Sequence, residues 1–283
     1  MPIAGIAQGF GIGGGTSATI SGFPAGGDTP FANDWSCAFD GTSDYMNCGD
    51  IDDMGDIDAL SFSAWIYPEA DGKVVVSGNG DVDDGFFFQT AFSKLYFGVG
   101  VGGSASYITV GGVGIGNGIA TGAWSHVCCV WDKTMGSPQY GALYVHGVSH
   151  AFTLNNLPSG ATKNDADAFD NFRIGRYTTG IPYWNGKIDE VALWDSALTA
   201  QQVMNIAKGG ASGDSKESGD TNAAGDLSTF EPAHWWRMGD TGSDAAGGDG
   251  AAVSLITDAG DTGGSNAVQP TGTAQPALST SAP

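Results

Sequence analysis

Short apolar runs separated by turn residues recur from residue 35 to residue 195, and no other feature limits the possible folds more strongly. Ser61–Tyr67 places Phe62, Ala64 and Ile66 on one face before Pro68 ends the run. Comparable runs follow at 74–76, 85–88, 95–97, 107–110, 126–131, 142–145, 172–175 and 187–194. Because these runs have the length of strands and alternate with turns, they predict an all-β antiparallel sandwich.

Glycine content favours strands and turns over helices. The chain of 283 residues contains 47 glycines, which concentrate in residues 4–27, 98–118, 209–225 and 239–264, and glycine accepts the backbone conformations of tight turns. One short helix is still predicted near the end of the strand-rich region. Thr199 and Gln202 form a capping-box pair, and Gly209 ends the helix.

Net charge excludes some partners. The chain has 31 acidic and 10 basic residues, a formal net charge of -21. A surface this negative repels phosphate backbones, so nucleic-acid binding is not expected. No window is long and apolar enough for a membrane span, and the first residues lack the basic region of a signal peptide. We therefore expect synthesis in a cytoplasm.

No catalytic constellation is evident. Retaining glycosidases need two carboxylates about 5 Å apart, but the four glutamates have no partner in an E-x-D-x-E pattern. Asp189 and Glu190 are neighbours on a predicted strand, so their side chains are expected on opposite faces. There is no G-x-S-x-G elbow, and the histidines have no obvious serine or cysteine partner. The sequence predicts a protein without enzymatic activity.

Five motifs across residues 35–208 carry a family resemblance. They are Phe39-Asp40-Gly41 with Asp44-Tyr45, then Phe62-Ser63-Ala64-Trp65, Trp124–Val127, Leu143–Gly147 and Gly186–Val191. In this order and spacing they resemble the laminin-G-like, concanavalin A-like family. The resemblance implies a two-sheet antiparallel jelly roll, closed by one short C-terminal helix.

The same resemblance implies a structural calcium ion between the Phe-Asp-Gly loop and the Gly-x-Ile-Asp strand. Its ligands would be Asp40, Asp44 and Asp189, since calcium binds carboxylate and carbonyl oxygens in loops. An alternative stays open, in which Asp40 caps a turn before Gly41 and Asp44 is solvated.

Carbohydrate binding needs exposed aromatic rings beside hydrogen-bonding groups. Tyr177, Tyr183, Trp184 and Asn185 are the candidates. The alternative is that these side chains pack in the interior, and Trp184 aligns with an aromatic residue that often packs in the family.

The composition divides the chain into three segments. Residues 1–34 form a glycine-rich arm, which is either a flexible tail or a segment that orders on another subunit. Residues 35–208 form the sandwich. Residues 209–283 comprise a polar linker, an aromatic segment at 230–240 and a C-terminal tail, of which residues 265–283 are either flexible or a second docking arm. The aromatic segment resembles WWRMGD-type segments of structural proteins of tailed phages; alternatively, it is a final strand that packs its tryptophans on the sandwich.

These resemblances imply a non-enzymatic virion protein of a tailed phage, either a capsid decoration protein or a fibre or adhesion component. The expected location is the virion, after synthesis in the host cytoplasm. The expected partners are other virion proteins or further copies of the chain in a homo-oligomer, with cell-surface glycan as a ligand. The alternative is a carbohydrate-binding module or a secreted carbohydrate-active enzyme of a bacterium.

Overall fold

The computed structural model describes residues 31–71, 73–79, 85–91, 94–101, 107–114, 119–135, 141–150, 153–155, 163–178, 180–240, 248–253, 255–261, 264–270 and 275–283. Most of the predicted N-terminal arm, residues 1–30, lies outside these ranges. Within them the strands are β1 (Ser36–Asp40), β2 (Met46–Gly49), β3 (Ala59–Pro68), β4 (Val74–Ser77), β5 (Phe86–Ala91), β6 (Lys94–Gly100), β7 (Tyr107–Gly114), β8 (Ser125–Asp132), β9 (Gly141–Val145), β10 (Val148–His150), β11 (Thr153–Asn155), β12 (Phe172–Ile174), β13 (Arg176–Tyr177), β14 (Gly180–Tyr183), β15 (Asn185–Trp194), β16 (His234–Trp236), β17 (Leu255–Ile256), β18 (Ala267–Val268) and β19 (Ala277–Ser279). The α-helix of the described residues is α1 (Ala200–Ala207).

Two antiparallel sheets form the sandwich. In the first, which we call sheet A, the order is β10-β9-β8-β3-β15-β1-β19, and β16 pairs with the second half of β15. In the second, sheet B, the order is β11-β7-β6-β5-β4-β12-β2-β18-β17. β13 and β14 form a separate hairpin. The predicted strands and the jelly-roll class are confirmed.

Aromatic side chains fill the space between the sheets. Phe86 stacks on Phe169 with ring centroids 4.8 Å apart, and Phe172 stacks on Trp236 at 5.7 Å. Each of these four side chains is at most 1 % exposed. Burial of this much aromatic surface is the main stabilising contribution to a sandwich of this kind.

A second apolar layer covers the outer face of sheet A. Val203 and Ile206 of α1 pack there with Cys128 and Trp194. The predicted capping box at Thr199 is confirmed, because its hydroxyl accepts a hydrogen bond from the Gln202 amide while the Gln202 side chain accepts one from the Thr199 amide. Among the described residues, no helix has the length and hydropathy to cross a membrane.

The C-terminal part of the chain belongs to the sandwich. β16, from the aromatic segment, adds to sheet A, so its interpretation as a final strand is confirmed. The tail predicted for residues 265–283 is wrong where the structure describes it, because β18 joins sheet B and β19 pairs with β1. These strands have two or three residues and bury only Ala267 and Leu278, too short a pattern to separate from a loop.

Candidate functional site

A loop and a hairpin meet at one end of the sandwich, and we call this region the hairpin edge: residues 40–45 together with β13 and β14. Asp40 lies opposite Asn185 in the pairing of β1 with β15, and Gly41 packs so closely on Asn185 that a Cβ at this glycine would lie 2.7 Å from the Asn185 Cβ. The Tyr45 and Tyr183 rings are 6.4 Å apart. The structure thus brings together Asp40, Asp44, Tyr183 and Asn185.

Two arginines lie among the tyrosines of the hairpin edge. The Arg176 guanidinium carbon is 4.6 Å from the centre of the Tyr45 ring and 5.0 Å from that of Tyr183. The Arg173 guanidinium carbon is 5.4 Å from the centre of the Tyr45 ring. Neither arginine was singled out from the sequence, because nothing in the spacing of Arg173 and Arg176 reveals the turn at Gly175 that brings Arg176 to Tyr45.

The other candidates for ligand binding divide between surface and core. Tyr177 is partly exposed and its ring lies 6.3 Å from the ring of Phe87. Trp184 is fully buried and packs in the core between the sheets, and its indole Nε1–H donates to the carbonyl of Lys187. Trp184 therefore cannot contact a ligand at the surface, and its alternative interpretation as a packing residue is the correct one.

Asp40 caps the turn of the loop. Its two carboxylate oxygens accept hydrogen bonds from the amides of Thr42, Ser43 and Asp44 and from the hydroxyls of Thr42 and Ser43. Burial by itself would raise the pKa of Asp40, but these hydrogen bonds outweigh it and hold the pKa well below its usual range. Asp40 is therefore a carboxylate whose acceptor capacity the loop already uses.

Asp44 differs from Asp40 in having an unused oxygen. Its side chain is 5 % exposed, its Oδ2 accepts from the Asp40 amide, and its Oδ1 is buried without a hydrogen-bond partner among the described residues. Burial and the nearby charge of Asp40 raise the pKa of Asp44. A buried oxygen of this kind either keeps a proton or takes a cation.

Asp189 lies away from the loop. It is four residues beyond Asn185, the partner of Asp40, which corresponds to about 13 Å along a strand. Its neighbours are Glu190 and Asp240, and oxygens of the three carboxylates lie within 4.8 Å of one another. The structure does not bring Asp189 to Asp40 and Asp44, so the predicted set of three calcium ligands is split between two places.

A β-bulge brings Asp189 and Glu190 together. Asp189 pairs with Trp65 and Ala192 with Ser63, so β15 has one residue more than β3 over this interval. The extra residue is Glu190, whose φ of 48° is left-handed. The prediction that the two side chains point to opposite faces is wrong, because a bulge breaks the alternation on which it relied.

We call the carboxylates of Asp189, Glu190 and Asp240 the acid clamp, because they hold residues 33–35 against the sandwich. Asp189 accepts hydrogen bonds from the Asn33 side chain and the Glu190 amide. Glu190 accepts from Trp235 Nε1 and Arg237 Nε. Asp240 accepts from the backbone amides of Asp34 and Trp35. Every carboxylate oxygen thus has a donor from the chain. Burial raises the pKa of all three groups.

The acid clamp does not provide an accessible carboxylate pair. Asp189 is 0 % and Glu190 2 % exposed, and their oxygens are already engaged. A sugar cannot approach them, so burial, and not the strand geometry assumed from the sequence, is what argues against hydrolysis here.

A serine and a histidine also meet, which the sequence did not reveal. Ser63 Oγ is 3.2 Å from His126 Nε2, but both residues are at most 1 % exposed. Burial lowers the pKa of His126 to about 3. At this degree of burial a substrate does not reach the pair. The strand register pairs His126 with Trp65 and Ser63 with Cys128, so the contact runs diagonally between β3 and β8 and could not be read from the sequence.

The sequence of this region matches a known protein family. A model of the concanavalin A-like lectin/glucanases superfamily, in its laminin G form, matches residues 40–204, which is more than half of the chain. This chain belongs to that family. The matched region contains the loop, the hairpin and the bulged strand β15.

Solved structures agree on the fold. A Bacteroides ovatus protein described as carbohydrate binding superposes with a TM-score of 0.53 at 17% identity, covering 88% of this chain and 60% of that one. A pentraxin from Limulus polyphemus superposes at 0.44 with 20% identity, covering 69% of this chain and 87% of that one. No curated protein matches the sequence. At 17% identity the likeness to the Bacteroides ovatus protein shows the fold alone.

Proposed function

We propose that the protein is a non-enzymatic, glycan-binding component of a tailed-phage virion, present in many copies as a capsid decoration or as a fibre or adhesion element. The observation that carries the binding part is the hairpin edge. There, the partly exposed ring of Tyr183 and the buried ring of Tyr45 lie beside two guanidinium groups and the Asn185 amide. Aromatic faces with adjacent hydrogen-bonding groups are what a sugar ring requires.

The virion part rests on two features. The aromatic segment at 230–240 resembles segments of tailed-phage structural proteins, and residues 1–34 are rich in glycine with no charge before Asp28. The acid clamp holds residues 33–35 against the sandwich, which gives an arm a firm base. Such an arm is suited to contacts with other virion proteins or with copies of the chain.

A bacterial carbohydrate-binding module is the second candidate, favoured by the similarity to the Bacteroides ovatus protein. The position of the protein separates the two. Mass spectrometry and immunogold labelling of purified particles should find it in virions; its presence only in a bacterial secretome would overturn the virion assignment and leave glycan binding intact.

Binding without turnover is the expected result with glycans. On a glycan array the purified chain should bind at least one glycan, and hydrolysis assays should release no sugar. Tyr183→Ala should weaken binding about fivefold, since stacking on an aromatic ring contributes about 1 kcal/mol per contact. The control is Tyr96→Ala, at a partly exposed tyrosine of β6 outside the hairpin edge. Turnover abolished by replacing one Asp or Glu would refute the non-enzymatic assignment.

Calcium at the loop is a further part of the proposal. The unpartnered Asp44 Oδ1 fits a cation that prefers carboxylate oxygens, and Asp40 would need to release some of its donors to contribute. The engaged oxygens of the acid clamp fit a cation less well. Asp44 would hold the ion, which would stabilise the loop beneath Tyr45.

Calcium is therefore expected to raise the melting temperature relative to chelator. At about 100 times the dissociation constant the gain in the free energy of unfolding is about 2.7 kcal/mol. Asp44→Asn should abolish the response and Asp189→Asn should retain it, as measured by thermal unfolding with and without EGTA. A response lost only in Asp189→Asn would move the ion to the acid clamp; no response in the original chain would remove calcium from the proposal.

A further inference from the structure

The arginines of the hairpin edge differ from Arg237 in having no ion pair with an acidic residue among the residues that the structure describes. The sequence contains three arginines, Arg173, Arg176 and Arg237, among 31 acidic residues. Arg237 pairs with Glu190 at 3.3 Å. Within the described part of the chain, neither Arg173 nor Arg176 has a carboxylate oxygen within 4.0 Å. In so acidic a protein, two adjacent unpaired guanidiniums mark a local site of positive potential.

Their hydrogen bonds leave most donors unused. Arg173 Nη1 donates to the Thr178 carbonyl at 2.5 Å, and Arg176 Nε donates to the Gly180 carbonyl at 3.1 Å. A guanidinium has five N–H donors. Arg173 Nε is buried and has no partner among the described residues. The terminal nitrogens of Arg176 donate to no described residue, while the Tyr45 and Tyr183 rings flank its guanidinium.

The described groups that act on the charge of Arg173 are another arginine and two tyrosines. Its pKa is lowered by burial and by the charge of Arg176, and the other groups that act on it are the phenols of Tyr45 and Tyr183. Within the described ranges no carboxylate is among them. Two like charges that lie close together repel each other, and an anion bound between them would relieve this repulsion.

We infer that the hairpin edge binds an acidic saccharide, whose carboxylate or sulfate group lies between Arg173 and Arg176 while its sugar ring contacts Tyr183. This rests on the proposed glycan-binding function and narrows it to anionic glycans. Guanidinium forks donate two parallel hydrogen bonds to such groups. The net charge of -21 opposes long polyanions elsewhere on the surface, so recognition depends on this one end of the sandwich.

Binding of the full-length chain to defined polysaccharides tests the inference. The probes are polygalacturonate for carboxylates, heparin for sulfates, dextran for neutral sugars and polyglutamate for acids without sugar. We expect polygalacturonate, heparin or both to bind, with an affinity that falls as salt rises. The one that binds identifies the acidic group. Dextran and polyglutamate should bind at least about tenfold more weakly, because each lacks either the charge or the sugar.

Variants of Arg176 test whether the anionic polysaccharide binds at the arginines. Arg176→Gln should weaken the anionic probe at least about tenfold, since charge-assisted hydrogen bonds are lost. Lys94→Gln, at an exposed lysine of β6, removes the same charge elsewhere and should change little. If Arg176→Gln does not fold, Arg176→Lys keeps the charge without the fork and should still lose affinity.

The outcomes separate this inference from the proposed function. Binding of dextran alone, or anionic binding that Arg176→Gln leaves unchanged, refutes the acidic saccharide and retains a glycan-binding protein. Equal binding of polyglutamate through Arg176 replaces the saccharide with an acidic peptide, such as a second copy of this chain. Absence of binding to all glycans refutes both.

Discussion

Replacing Arg237 with methionine is expected to lower the free energy of unfolding by about 3–5 kcal/mol, since it leaves a buried carboxylate without its counter-charge. Arg237 pairs with Glu190, and the side chains are 16% and 2% exposed. Its guanidinium also lies 4.4 Å from the centre of the Phe31 ring and 5.2 Å from that of Trp235. Methionine keeps much of the apolar volume, so the loss measures the charge and its hydrogen bonds.

Urea denaturation of the two chains measures this loss. Glu190→Gln combined with Arg237→Met should recover part of it, because the uncompensated charge is then gone. Arg237→Lys should fall between, since an ammonium restores the charge without stacking on the rings. A loss below about 1 kcal/mol for Arg237→Met would mean that the acid clamp contributes little to stability.

Stability should fall as the pH rises from 6.5 to 8.5, by up to about 1.4 kcal/mol per pH unit for each proton that the folded state alone retains. Burial raises the pKa values of Asp189 and Glu190 above their unfolded values of 3.8 and 4.5. A raised pKa contributes stability below the unfolded value, and this is lost as the pH passes the folded one. These carboxyls therefore favour the acid side of the window.

His234 acts in the same direction. Burial alone would lower its pKa, but hydrogen bonds to Asp258 at 2.7 Å and Asp53 at 3.0 Å raise it above 6.5. His126 and His150 act oppositely, because burial lowers their folded pKa below the unfolded value of 6.5. Their unfolded-state titration ends about one unit above that value, so their opposing contribution is confined to the lower half of the window.

Urea unfolding at several pH values measures the slope. Asp189→Asn should flatten it, because the amide does not titrate, and Asp58→Asn, at an exposed carboxylate, should leave it unchanged. Stability that rises with pH across this window would contradict the assignment of retained protons to the acid clamp.

Much of the sandwich was predictable because its strands follow period-two alternation over several residues. Ser61–Tyr67 placed Phe62, Ala64 and Ile66 inside, where the structure has them. The same rule failed at Glu190, because one left-handed residue inverts the faces that follow it. A single sequence carries no signal for that bulge.

The hairpin edge was only partly predictable. The family resemblance led to Asp40 and Asp44, the requirements of carbohydrate binding led to Tyr183 and Asn185, and the structure brings the four residues together. Neither consideration could lead to Arg173 and Arg176, whose importance depends on the tyrosine rings that the fold brings to their guanidinium groups. The proximity of Asp240 to Asp189 was not predictable either. It results from the path of the backbone over residues 237–240, which strand alternation does not describe.

The pairing of β19 with β1 makes the last described strand the neighbour of the first. Cys37 lies opposite Leu278, so sheet A is completed by contacts that span almost the whole chain. Such contacts have high sequence separation, and their loop-closure entropy must be overcome before they contribute stability. During synthesis, the edge of β1 that pairs with β19 therefore stays unpaired until residue 279 has left the ribosome. In that interval a strand of another copy can pair with the same edge.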